Sequence, residues 1–397
     1  MKKKIFRTAC SFLILALHVM MFGAVQESET LVSTQYAPHW AGLKAVLYSV
    51  GIFVGLMHPF LTNMIGQRRV LTAGLLCDAL GFVCFLLNYY EFTSFSILFL
   101  YLGALCFGLG ILSVFNCLII YIIWDYPKYT VMAITALFAF GNIGFLFDTV
   151  LQELTHFFKQ DIQIFLLLTA LLVFFAVVSS ILYEEPPYPR QLKHLRSGTL
   201  LWKELHIRLF FFLVATICYS LTEGIFNFWG LTNLQTSGMI FDKPLAVFWL
   251  GMVLGQFFLL IPLAYGSPYK ILFGKVGIIV VALLLFPFQK DISTIYFCFL
   301  LGGLGCAGIF PIILSLLEEE LIHVALVSRH EAFLPFIDTA ISVITCGYLL
   351  GGGIVDFWTG PFNQAPRTYP FFIGAFCILA CCFIMAYLNH TRLKKRS

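Results

Sequence analysis

"GLGILSVFNCLII", residues 108–120, decides how this chain is read. The stretch is nearly all apolar, yet Gly108, Gly110, Ser113 and Asn116 stand where leucines would serve equally well. In water such a pattern says little. In lipid, small residues let a second helix approach closely, and an amide facing hydrocarbon is penalised. The stretch belongs to an apolar run from 95 to 124, long enough to cross a hydrocarbon layer about 30 Å thick.

Working outward, similar runs occupy 6–25, 42–62, 70–90, 130–152, 163–183, 207–229, 246–266, 270–288, 294–317, 331–355 and 370–389. The weakest boundary is "YGSPYK", residues 265–270, between two of them. Lipid offers no partner for a backbone amide, so runs of this length are helices. Composition agrees: 60% of the residues are hydrophobic and 11% charged, against roughly a quarter charged in soluble domains. The first run has the basic start and apolar middle of a secretory signal. A retained helix is expected instead, because cleavage would leave an odd number of spans.

Charge placement orients the chain. With the N-terminus inside, Lys44, Lys159, Lys243, Lys290 and Arg367 fall outside, leaving nineteen of the 24 basic residues within. That bias predicts cytoplasmic termini and an even number of spans, in a plasma (inner) membrane. The basic, proline-bearing segment 183–208 separates two sets of six. The expected architecture is an all-α polytopic membrane protein of twelve transmembrane helices in two six-helix halves, 1–183 and 207–397, joined by a cytoplasmic linker at 184–206. "FGLGILSVFN" in the fourth run echoes "GCAGIFPIIL" in the tenth, with Gly110 over Gly308, as a duplication requires.

All twelve cysteines lie in apolar runs, which argues against disulfides and zinc. No P-loop, H-E-x-x-H or G-x-S-x-G appears, so no enzyme activity, cofactor or metal is expected. No basic cluster suits nucleic acid.

Four motifs carry a resemblance. "GLGILSVFN" is similar to the fourth helix of the fucose–galactose–glucose:proton symporters, a branch of the major facilitator superfamily. "YSLTEGIFNFW", 219–229, resembles that branch's seventh helix, and "GIFPIILSL", 308–316, its tenth. "NMIGQRRVL", 63–71, is similar to the superfamily's loop after helix 2, in which Gly66, Arg68 and Arg69 imply a gating element. The chain departs from the pattern as well. Ser113 stands where the branch carries a glutamate, Cys117 for a proline, Gln256 for an arginine and Asn63 for the loop aspartate. The resemblance implies the major facilitator fold and alternating access, with sugars as the family's solutes.

Intramembrane ionisable groups are candidates by default, since burying them costs a few kcal/mol or more. Glu223 leads: Tyr219, Glu223 and Asn227 recur every four residues, on one α-helical face. With Asp338 and Asp148 it forms the proton-coupling set, against a plain reading as structural hydrogen-bonding groups. Asp78 and His18 read more readily as packing residues. Ser113, Asn116, Asn142, Tyr219, Asn227, Trp229 and Gln256 are the candidate solute contacts, with helix packing and interface anchoring as the alternatives. Glu318, Glu319 and Glu320 are candidates for ion pairs with basic loops. The expected function is secondary transport of a small polar solute by a monomer, coupled to protons. An uncoupled facilitator or exchanger and a non-transporting sensor or assembly protein remain alternatives.

Overall fold

The computed structural model of the chain describes residues 2–27, 39–89, 96–158, 161–185, 199–230, 244–289, 291–328, 334–359 and 368–396. They form α1 (Lys2–Glu27), α2 (Trp40–Ile65), α3 (Gln67–Tyr89), α4 (Ser96–Asp125), α5 (Thr130–Phe158) and α6 (Asp161–Leu182). After the linker come α7 (Thr199–Gly224), running on as a π-helix over Ile225–Gly230, α8 (Pro244–Tyr265) and α9 (Pro268–Leu285) with a 3-10 turn at Phe286–Phe288. Then follow α10 (Ile292–Cys306), α11 (Ile309–Ser328), α12 (Leu334–Thr359) and α13 (Tyr369–Arg396). Among the described residues, eleven helical stretches are long and apolar enough to cross a membrane, and 166–182 is a shorter apolar helix. This is the all-helical architecture that the apolar runs require.

The tenth run differs from expectation. It is two helices, α10 and α11, broken at Ala307 and Gly308. Gly308 has φ +80°, a conformation that favours glycine, and a Cβ there would have to displace the Leu259 Cδ1 methyl, 2.3 Å away. Pro311 removes a backbone donor on the far side. A broken helix leaves carbonyls without their usual donors. Here Lys275 Nζ donates to the Leu304 carbonyl (2.6 Å) and Tyr219 Oη to the Cys306 carbonyl (3.0 Å).

The chain divides into two compact units. The first holds 1–128 and 140–187, and the second holds 129–139 and 188–397. The first part of α5 therefore belongs to the second unit.

In the first unit α4 is the centre, packed by α2 and α3. Its small residues answer the question raised by the opening stretch. A Cβ on Gly108 would lie 2.9 Å from the Leu47 carbonyl of α2, so this glycine admits the α2 backbone. A Cβ on Gly110 would lie 1.9 Å from Asp78 Oδ1 and 2.9 Å from the Gly74 carbonyl, so this one admits α3 and its carboxylate. One end of the unit is tied by charge. Arg7 Nε donates to Asp125 Oδ2 (2.9 Å), and Lys4 Nζ bonds the Asp125 carbonyl and sits 4.1 Å above the Tyr126 ring. Lys3 pairs with exposed Glu184, whose carboxyl it holds below the usual range.

The second unit repeats the device. Arg208 of α7 pairs with Glu320 of α11, and Arg392 of α13 binds Glu319. Glu318 turns inward, buried, and accepts from Thr130 Oγ1 at 3.4 Å. Glu319 and Glu320 thus face the arginines, with Arg392 Nε also 3.7 Å from Glu320, while Glu318 faces a hydroxyl.

Candidate functional site

In the second unit, α7 and the π-helix that follows it carry the buried Thr216, Ser220, Thr222 and Glu223 together with Asn227 and Trp229. Glu223 is buried, and its Oε1 accepts a hydrogen bond from Tyr348 Oη of α12 at 2.7 Å. Tyr348 lies between two rings, stacked on Phe310 at 4.4 Å and facing Tyr219 at 6.3 Å. Tyr219 in turn caps the broken tenth span through the Cys306 carbonyl. The carboxylate is therefore positioned by three elements at once: its own helix, α12 and the break at Gly308.

Beyond Gly224 the chain leaves the α-helical period. The π turn at Ile225–Gly230 is held by Phe226, fully buried, stacked on Phe248 at 5.5 Å and edge-on to Phe299 at 6.3 Å. A π turn bonds i to i+5, so the four-residue register predicted for Tyr219, Glu223 and Asn227 does not carry across it. Three buried side-chain atoms here have no hydrogen-bond partner within the protein: Glu223 Oε2, Asn227 Oδ1 and Trp229 Nε1. The π turn itself was invisible to periodicity. Its only signal in sequence was a glycine followed by four bulky residues around an asparagine.

α7 is fixed from both sides. Ser220 Oγ donates to the Tyr348 carbonyl (2.6 Å) and Thr222 Oγ1 to the Gly374 carbonyl of α13 (3.1 Å). Gln256 of α8 and Asp338 of α12 are buried and engage neighbours of their own.

In the first unit, Asn116 and Asn142 are buried with partners. Ser113 is placed in the α3–α4 seam: its hydroxyl donates to the Leu109 carbonyl of its own helix (2.7 Å), and its Cβ would be 3.1 Å from a Cβ on Gly74. Asp148 lies on α5 outside the residues whose side chains are described. The loop after α2 is held otherwise than expected. Among the described residues no ion pair engages Arg68 or Arg69. Instead the Gln67 amide donates to Glu185 Oε2 (2.8 Å), and the same carboxylate sits within 2.5–2.9 Å of where a Cβ on Gly66 would be. An anion at the first amide of α3 complements the helix dipole.

Sequence reasoning kept His18 and Asp78 apart. The structure brings them together, His18 Nδ1 at 2.7 Å from Asp78 Oδ2, with both side chains almost fully buried. They are sixty positions apart on α1 and α3, and nothing local in the chain links them.

No protein-family model and no curated protein matches this chain. Solved structures do. A crystal structure of a major facilitator superfamily transporter, FucP, in the outward conformation aligns over 97% of this chain and 99% of its own, with 15% identity and a TM-score of 0.72. A variant of the E. coli fucose:proton symporter FucP aligns over the same shares, with 15% identity and a TM-score of 0.73. The chain has the fold of the major facilitator superfamily.

Proposed function

We propose that this protein is a secondary transporter that carries a small polar solute by alternating access and couples it to protons through Glu223. One observation carries the reading: Glu223 Oε2, Asn227 Oδ1 and Trp229 Nε1 are buried without a partner, within seven residues of one helix. An unpaired buried polar atom costs about 1–3 kcal/mol, so three within seven residues are a persistent expense unless a polar ligand supplies the missing bonds. Two acceptor oxygens and an indole donor, with the stacked Tyr348 and Phe310 rings next to Glu223, suit a hydroxylated solute with an apolar face. FucP carries fucose with protons, and sugars are accordingly the first solute class to test. Asn116, Asn142 and Gln256 are the further polar groups proposed for the solute path, and Asp338 and Asp148 the secondary carboxylates. In this reading both termini and the linker are cytoplasmic and the membrane is the plasma (inner) membrane.

The uncoupled facilitator is favoured by one feature: Ser113 replaces the branch's fourth-helix carboxylate, and its hydroxyl is spent on Leu109. The test is uptake by vesicles carrying the purified protein, with labelled fucose, galactose and glucose and then a labelled metabolite mixture, with and without a pH gradient. Glu223→Gln keeps the acceptor for Tyr348 but cannot titrate. It is expected to lose accumulation driven by the gradient and to keep solute exchange. Accumulation equal to the parent's would hand the reading to the facilitator, and absence of uptake for any solute would remove transport itself.

A further inference from the structure

The buried polar groups of the first unit include one pair that the transport reading leaves unused. His18 Nδ1 meets Asp78 Oδ2 at 2.7 Å, and the two side chains are 4% and 1% exposed. The other carboxylate oxygen, Oδ1, is buried and has no hydrogen-bond partner. It points at α4 where Gly110 has no side chain, 1.9 Å from the position a Cβ would take. Three helices thus converge on the carboxylate: α1 supplies the imidazole, α3 the acid, and α4 the gap.

Packing alone accounts poorly for this arrangement. A buried carboxylate with one satisfied oxygen is expensive, and an apolar pair of similar volume would join α1 to α3 at less cost. The pair differs from an apolar contact in what it does with a proton. With imidazole neutral, Nδ1–H donates to Oδ2, the pair carries one negative charge, and Nε2 is a base. Uptake of one proton at Nε2 turns the pair into imidazolium and carboxylate, with no net charge. The Nδ1–H to Oδ2 bond persists in both forms, so the change needs no repacking.

We propose that His18 and Asp78 form a protonation site that binds and releases a single proton between α1, α3 and α4. The thiols of Cys77 on α3 and Cys106 on α4 interact electrostatically with Asp78. His18 is the charged partner that acts on the Asp78 carboxyl, and α2, packed on α4, carries a second buried imidazole, His58. The site is distinct from Glu223, which lies in the second unit. Proton binding here stands whether or not a solute is found, although a role in coupling rests on the transport reading.

The experiment counts protons without any solute. The purified full-length chain is moved between about pH 8 and about pH 5, the range in which histidine changes charge. Proton uptake is measured with an indicator dye, and infrared difference spectra report imidazole and carboxylate bands. In a Glu223→Gln background, His18→Gln is expected to lower uptake by one proton per chain and remove an imidazole band. Asp78→Asn is expected to shift the midpoint of that band and remove the carboxylate component coupled to it. Folded variants that take up as many protons as their parent, with unchanged bands, would overturn the site. Should either variant fail to fold, ring-15N histidine in the parent answers instead. A ring signal that Asp78→Glu perturbs and that changes form with pH supports the proposal, and the same signal unchanged with pH sinks it.

Discussion

The guanidinium of Arg208, on α7, binds the carboxylate of Glu320, on α11, and both side chains are largely buried. The first unit contains the same relationship: Arg7 on α1 binds Asp125 at the end of α4. In each case the basic residue near the start of a unit's first helix is tied to an acid near the end of its fourth span. The two units therefore repeat in chemistry as well as in the order of their helices, which the faint match of Gly110 to Gly308 only hinted at.

Breaking such a pair strands a charge. Arg208→Ala is expected to destabilise the second unit by about 2–4 kcal/mol, at or just below the range for a buried pair, because Arg392 Nε remains 3.7 Å from Glu320. Thermal unfolding in detergent reads the loss. The swap Arg208→Glu with Glu320→Arg is expected to recover part of it, and no recovery would mean the pair acts through packing rather than charge.

Two glycines offer a matched comparison. Gly110→Ala drives a methyl into the Asp78 carboxylate and the α3 backbone, and should lower both yield and melting temperature. Gly274→Ala meets nothing within 4 Å and should be neutral or slightly stabilising, since alanine gains up to about 1 kcal/mol over glycine inside a helix. Equal effects at the two positions would contradict the helix contacts described.

The loop after α2 separates cap from gate. Glu185→Ala removes the acceptor of the Gln67 amide and is expected to cost about 1 kcal/mol, as helix caps do. Arg68→Ala with Arg69→Ala is expected to stay within about 0.5 kcal/mol, the usual range for surface changes. If the arginines gate transport, their loss shifts cysteine accessibility from one membrane face to the other without altering stability. Unchanged accessibility leaves them without a gating role.

Tyr348→Phe removes the hydrogen bond that Glu223 Oε1 accepts. It is expected to destabilise the protein by about 1–3 kcal/mol, and Glu223→Gln should reduce the penalty because a neutral amide is cheaper to bury. Additive losses in the double variant would show that the two groups do not act together.

Reporters fused within 186–198 and after residue 397 are expected to read cytoplasmic, as the excess of basic residues on that side requires. An external signal at either site would overturn the orientation.

The sequence by itself determined that the chain is helical throughout its apolar runs, and where most helices lie. The reason is local: lipid leaves a backbone no other way to satisfy its amides, so length and composition suffice. Glu223 stood out as a candidate for a related reason, since a carboxylate in such a run is conspicuous wherever it faces. Tertiary structure decided the rest. Whether Ser113 faces a solute or α3, why Gly110 is small, and that His18 meets Asp78 all depend on which helices touch. Contacts between residues thirty or more positions apart leave no trace in a 3.6-residue period. The break at Gly308 and the π turn after Gly224 belong here too. Each gives up regular helical hydrogen bonding, and the groups that stabilise it, Tyr219 and Lys275 at the break and Phe248 and Phe299 at the turn, come in large part from other helices.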